Sequence, residues 1–324
     1  MILTVTLNPS LDRTVELGAA LRRGAVQRAT GARQDAGGKG VNISRALRAS
    51  GTPTLAVLPA DPGDPLLAEL DAAGVPHESV PAGAPVRSNV TITEPDGTTT
   101  KLNAPGTPLT AQRLEELAAL LVRHGAGASW IVLAGSLPPG AEPGTYAQLV
   151  RRVRAALGEH APRIAVDTSG PALAGATADD DALPDLIKPN GEELAELVGR
   201  GDGEALEADP ARAAAVAAAL VGRGLGAVLT TLGAGGAVLT TAAGSWHAVH
   251  APVAVRSTVG AGDSSLAGYL LAHERGDDPA GCLRQAVASG TAAAALPGTR
   301  VPALSGTTPE AVAVRELAPQ DAAG

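Results

Sequence analysis

In the stretch Thr258-Val259-Gly260-Ala261-Gly262-Asp263-Ser264, a carboxylate follows directly behind two glycines. The residues after it, Ser265-Leu266-Ala267-Gly268-Tyr269-Leu270-Leu271, have the apolar content of a helix, which puts Asp263 in the first turn. The first N–H groups of a helix have no internal partner, and the macrodipole adds partial positive charge there. Gly260 and Gly262 offer no side chain to obstruct a ligand, so the amides of Gly260, Ala261 and Gly262 can converge on an oxyanion. Asp263 is a poor ligand for such an anion but a suitable base for a hydroxyl that attacks it. That division of labour is the one phosphoryl transfer needs. Taken alone, Gly-Asp-Ser reads first as a helix cap after a flexible turn.

A second glycine-rich segment, Asp35-Ala36-Gly37-Gly38-Lys39-Gly40-Val41-Asn42, also leads into a helix far away in the chain. It is not a Walker A loop: Gly40 follows Lys39 where Ser or Thr belongs, and Arg33 stands where the first glycine should be. The spaced dinucleotide fingerprint is missing too, because Gly233-Ala234-Gly235 meets Val238 at its third glycine position. No Gly-x-Ser-x-Gly elbow supports a hydrolase. His247 and His250 lack a third ligand and read as structural, Asp179, Asp180 and Asp181 as a solvated loop, and Cys282, the only cysteine, as a small core residue.

Composition narrows the classes further. With 324 residues, 45% of them hydrophobic, the chain can bury a large core, but it has no Phe and only two Trp and two Tyr, so Leu, Val, Ile and Ala must fill it. Lys plus Arg total 25 against 33 Asp plus Glu, a net charge of -8 without the basic stripe that nucleic acid requires. Neither a leader nor a membrane span is visible at the N-terminus, which predicts a cytoplasmic protein with no membrane or nucleic-acid partner.

The elements that must hold these residues follow from the apolar pattern. Continuous apolar runs at 2–7, 54–58, 130–135, 163–167, 186–189 and 227–231 predict parallel strands buried on both faces. They alternate with helical patterns at about 40–50, 64–73, 110–124, 143–157, 191–198 and 210–223. The alternation predicts an α/β, doubly wound, mostly parallel sheet with helices on both faces. Residues 89–103 break the pattern with two β-prone segments around Pro95-Asp96-Gly97, a hairpin signal. With 14–30 they predict a small antiparallel β lid, inserted at about 12–35 and 86–106 of a single 1–324 domain. Residues 244–252 predict a further hairpin, and the tail from Ala303 a short helix at best with a frayed end.

Seven motifs stand in order along the chain: LNPSLD (7–12), GGKGVN (37–42), RSN (87–89), GSLPPG (135–140), KPNGEE (188–193), TLGAGG (231–236) and STVGAGDS (257–264). In this order and approximate spacing they resemble the ribokinase-like PfkB sugar kinases over about residues 1–300, most of all the branch containing 1-phosphofructokinase and tagatose-6-phosphate kinase. The resemblance implies ATP and Mg2+ as cofactors and a sugar phosphate as substrate, D-fructose 1-phosphate ahead of tagatose 6-phosphate or fructose 6-phosphate. It implies Asp263 as base and Gly260, Ala261 and Gly262 as the phosphoryl-binding amides. Asp12, Gly37, Gly38, Asn42, Asn89, Asn103 and Ser136 fall at its sugar-binding positions, while Lys39, Arg87 and Lys101 face the phosphate the sugar already carries. Lys188, Thr231, Gly233, Gly236 and Thr258 fall on its nucleotide side, and Asn190 and Glu193 would hold Mg2+ through water. Lids of this family often pair across a homodimer, which is expected here. A sugar-phosphate-binding regulator without catalysis is the competing expectation.

Overall fold

The computed structural model describes residues 1–199 and 202–318. Two sheets organise them. Strands β1 (Ile2–Val5), β2 (Ser10–Leu17), β3 (Ala29–Gly37), β4 (Thr54–Pro59), β5 (His77–Val80), β6 (Arg87–Thr93) and β7 (Thr99–Leu102) come first in the chain. The second half contributes β8 (Trp130–Ala134), β9 (Arg163–Asp167), β10 (Leu186–Ile187), β11 (Ala227–Thr231), β12 (Ala237–Thr241), β13 (Gly244–His250) and β14 (Val312–Leu317). The large sheet runs β5-β4-β1-β8-β9-β10-β11-β12-β13-β14, parallel as far as β11 and antiparallel over the last three strands. Its central strands are the predicted apolar runs: all five residues of β8 are buried, as a strand covered on both faces requires.

Helices cover both faces. Helices α3 (Ala111–Gly125), α4 (Thr145–Leu157), α5 (Gly170–Ala176), α6 (Gly191–Val198), α7 (Gly203–Ala208) and α8 (Pro210–Gly222) bury Leu121, Tyr146, Val150, Leu173, Leu194, Leu206 and Ala217 against one face. Helices α1 (Lys39–Ala49), α9 (Ala261–Glu274) and α10 (Pro279–Ala294) bury Ile43, Leu47, Leu266, Leu270 and Leu283 against the other. With Phe absent, aliphatic layers make up almost all of this core. A smaller cluster of Leu11, Ala36, Val41, Leu58 and Leu66 joins the lid base to α1 and α2 (Pro65–Ala72).

The lid is the four-stranded sheet β3-β2-β6-β7. It has the expected antiparallel hairpin β6–β7 and a second one, β2–β3, formed by the further strands read at 14–30, and the inner strands β2 and β6 meet in parallel. Side chains alternate across it, so Asp12, Asn89 and Lys101 share one face, and Val15, Val90, Ile92 and Leu102 share the other. At the tail the expectation of a short helix is corrected. After two single-turn 3-10 segments, residues 312–317 form β14, because Val312 and Val314 alternate with outward residues and β13 leaves its edge open for pairing. The predicted frayed end, 319–324, lies outside the described residues. Among the described residues no helix is long and apolar enough to cross a membrane.

Strand order places the cleft. The large-sheet strand after β1 in the chain is β4, on one side, and β8 then pairs with β1 on the other. The order reverses there, and a crevice opens beyond the carboxyl ends of the strands, where α/β proteins bind ligands.

Candidate active site

The N-termini of α1 and α9 meet in this crevice. Gly260 caps α9 in the left-handed region at φ 78°, a conformation glycine adopts without the Cβ penalty other residues meet. Asp263 is buried in the first turn, as predicted. Its Oδ2 accepts a 2.8 Å hydrogen bond from Asn42 Nδ2 on α1, across 221 residues of sequence. Burial, reinforced by the negative charge of Asp167, raises the Asp263 pKa to about 6 against the pull of Lys39, Asn42 and Lys188. A carboxylate so tuned is ionised at neutral pH yet basic enough to take a proton from an alcohol in flight.

Asp167, the last residue of β9, lies at the centre of the site, and sequence reading passed over it. Wholly buried, it accepts from Lys39 Nζ at 2.7 Å on Oδ1, and Lys188 Nζ stands 3.2 Å from Oδ2 as an ion pair off the hydrogen-bonding direction. Burial favours its neutral form, but Lys188 and Lys39 outweigh that and hold its pKa below the usual carboxylate range. Lys39 is shifted upward: burial opposes its charge, and Asp167 and Asp263 more than restore it. Lys188 Nζ also lies 3.1 Å from where a Cβ on Gly262 would project, directly beside the α9 amides. A helix N-terminus and two ammoniums thus converge, with Asp167 holding the like charges together. The signal available in the sequence was a carboxylate at the end of a buried strand, the usual address of an α/β site.

At the lid base, Asp12 Oδ1 accepts from Ser10 Oγ at 2.8 Å and Asn89 Nδ2 at 3.0 Å. Gly37 faces this carboxylate so closely that a Cβ would lie 2.8 Å from Oδ1 and nearer still to Oδ2. Gly38, at φ 115°, passes over Thr6. Asn8 Nδ2 donates to Pro105 O at 3.2 Å and Ser136 Oγ at 3.3 Å, bringing the GSLPPG turn to the same rim. Arg87, expected to face the phosphate the sugar carries, makes protein contacts at the lid roots. Its guanidinium donates to the carbonyls of Ala104 (2.9 Å), Asn8 (3.0 Å) and Pro9 (3.4 Å), binding both lid roots to the body. Burial lowers its pKa, opposed by nearby Asp12. Lys101 and Asn103 are exposed, and neither side chain has a hydrogen-bond or ion-pair partner among the described residues.

Of the residues expected on the nucleotide side, Asn190 and Glu193 form a capping box at the start of α6: Glu193 N donates to Asn190 Oδ1 at 2.7 Å, and Asn190 N to Glu193 Oε2 at 2.9 Å. Thr231 bridges to Asn190 and donates its N–H to Pro189 O at 2.9 Å, so the KPNGEE and TLGAGG motifs are neighbours. Gly233 opens a 3-10 turn, and Gly236, at φ 84°, backs onto the Ala248 carbonyl. Thr258 closes the loop before α9 by accepting from Ala261 N at 3.3 Å. His247 and His250 are occupied with local partners, Gly235 O at 2.8 Å and Thr308 Oγ1 at 2.8 Å. No cluster of three potential metal-binding His, Cys, Asp or Glu side chains occurs among the described residues.

Similarity to known proteins agrees with this geometry. The model of the pfkB family carbohydrate kinases matches residues 5–305. A 1-phosphofructokinase of Rhodobacter capsulatus is 36% identical over 305 residues, covering 93% of this chain and 92% of that protein. An ATP-dependent 6-phosphofructokinase isozyme 2 of Escherichia coli is 32% identical over 303 residues, 93% of this chain and 94% of that protein. The crystal structure of phosphofructokinase-2 from Escherichia coli in complex with potassium superposes with a TM-score of 0.85 at 30% identity, covering 94% of this chain and 96% of that one. With a buried carboxylate held between two helix N-termini and a match along nearly the whole chain, this protein is a member of the pfkB family of carbohydrate kinases.

Proposed function

We propose that the chain is a 1-phosphofructokinase, one ribokinase-like kinase domain over residues 1–324 that transfers the γ-phosphoryl group of ATP to the C6 hydroxyl of D-fructose 1-phosphate. The observation that carries the transfer chemistry is the Asp263 carboxylate, buried in the first turn of α9, held by Asn42 and raised to about 6. Asp263 takes the C6 hydroxyl proton as that oxygen bonds to the γ-phosphorus. The bond between the γ-phosphorus and the β–γ bridging oxygen breaks, and its electron pair leaves with ADP. The amides of Gly260 and Gly262, with Lys188 beside them, balance charge on the moving phosphoryl oxygens, while Ala261 N–H is held by Thr258 O. Asp12 and Asn89 orient the sugar hydroxyls, and the lid excludes water that would compete as acceptor. Lys101 shares the lid face of Asp12 and is unpaired among the described residues, which suits the phosphate the sugar brings. The capping box leaves Glu193 Oε1 and a lone pair of Asn190 Oδ1 for a hydrated cation, the hard oxygen set that Mg2+ takes. Mg2+ held there would neutralise nucleotide phosphate charge.

The choice of sugar draws on the GGKG and NPSLD motifs and on several relatives named 1-phosphofructokinase at 35–36% identity. Relatives named 6-phosphofructokinase at 32% make fructose 6-phosphate the second reading. Fructofuranose carries a CH2O group at each end, so one pocket can hold either ester by reversing it. An ADP-release assay with fructose 1-phosphate, fructose 6-phosphate and tagatose 6-phosphate is expected to give the first at least tenfold the kcat/KM of the others. A preference for fructose 6-phosphate would replace the substrate and leave the kinase intact. Gly37→Ala tests the Asp12 subsite. The added methyl must push the Asp12 carboxylate aside, and losing one charged hydrogen bond, worth about 1.5–3 kcal/mol, should raise the sugar KM tenfold or more with kcat little changed. The apolar lid face of Val15, Val90, Ile92 and Leu102 suits the expected homodimer.

A further inference from the structure

Where α1 ends, away from the cleft, the surface dips into a pocket of about 380 Å³ lined by Arg45, Arg48, Ala49, Ala73 and Val301. None of these residues takes part in the chemistry above. Arg48 Nε donates to Gly74 O at 2.8 Å, which fixes the plane of its guanidinium and leaves both Nη groups free of hydrogen-bond partners among the described residues. Arg45 Nη1 is buried with no hydrogen-bond partner. Neither arginine belongs to an ion pair among the described residues, although seven other arginines do. An unmatched buried donor on a permanently charged group is costly, and the cost disappears when an anion occupies the pocket.

Two guanidinium forks three residues apart on one helix face present the planar donor array that phosphate oxygens accept. Ala49, Ala73 and Val301 line the rest with methyl groups, suited to a short carbon skeleton. We propose that this pocket is a second anion site, which takes the phosphate of a small phosphomonoester. Its ligand would touch two elements of the catalytic cleft at once. Helix α1 carries Lys39 and Asn42 in its first turns, and Val301 follows the loop where Thr299 Oγ1 donates to Asp35 Oδ2 of the lid at 3.4 Å and Gly298 packs on Arg33. Occupancy would therefore bear on lid position.

The test uses the full chain, its Arg48→Gln variant and, as a second probe, Arg45→Gln. Arg48 is exposed, so its replacement leaves packing alone; thermal melts check both proteins. Titration with inorganic phosphate and with glycerol 3-phosphate is followed by calorimetry and amide hydrogen exchange. Expected are a site that Arg48→Gln weakens at least tenfold, tighter binding of glycerol 3-phosphate than of phosphate, and exchange protection at 45–50 and 298–304 in the wild type only. An unchanged isotherm in both variants, or protection confined to the glycine loops of the cleft, would overturn the site. Tighter binding of inorganic phosphate would overturn its assignment to phosphomonoesters.

Discussion

Asp263→Asn is expected to lower kcat by about 10²–10⁴-fold while leaving the sugar-phosphate affinity within a few fold, because a positioned base contributes about that much to proton transfer. The amide matches the carboxylate in shape and can still accept from Asn42 Nδ2, so the helix ends should stay together. Stability should move the other way. The folded-state pKa of Asp263 lies above its ordinary value, so between about 4 and 6 the native state holds a proton the unfolded chain has released, and stability falls as pH rises through that window. At neutral pH the ionised carboxylate is therefore a burden, and the asparagine relieves on the order of 3 kcal/mol of it. A higher melting temperature together with that loss of turnover marks a group kept for chemistry. Undiminished turnover would refute the base; a wild-type protein that binds the sugar phosphate without any turnover would make the non-catalytic regulator the better reading.

Asp167→Asn is the second large effect, and it separates positioning from chemistry. Removing the charge leaves Lys39 and Lys188 without their shared counter-ion. Breaking a buried ion pair costs about 3–5 kcal/mol, tempered here because the Lys39 side chain is 33% exposed. The pH profile of kcat/KM gives a readout that simple loosening would not. In the wild type the base must be ionised, so activity should be half-maximal near pH 6, full about one unit above it, and fade as pH falls through that value. Asp167 is one of the two causes holding Asp263 up, and in its absence both lysines are free to favour the ionised Asp263. The acidic limb should then move down by about one pH unit or more, with kcat reduced because the two ammoniums are no longer fixed. An acidic limb that stays in place would dissociate Asp167 from the base.

The sequence made the frame of this site legible and concealed its wiring. Buried parallel strands announce themselves as apolar runs, and Asp96-Gly97 between β-prone segments marked the β6–β7 hairpin. The two glycine-rich segments were legible as helix starts, and both open helices at the cleft. Asp167 did not stand out, because a carboxylate closing RIAVD looks like any polar residue after a strand until two lysines, 128 and 21 positions away, are folded onto it. The partners of Arg87 were hidden for a related reason: they are carbonyls from two distant segments that a residue pattern cannot display. The strand β14 went unread because edge strands have only one buried face, and six residues with alternating burial resemble a loop.

The fastening at Arg87 has a consequence for how this lid can diversify. Every acceptor it grips is a peptide carbonyl, a group that all twenty residue types supply. Drift at positions 8, 9 and 104 can therefore leave the pivot untouched, provided the chain path persists, while the arginine itself bears the whole constraint. The clamp's upper strands are free to be rewritten for new sugars on a joint that does not notice.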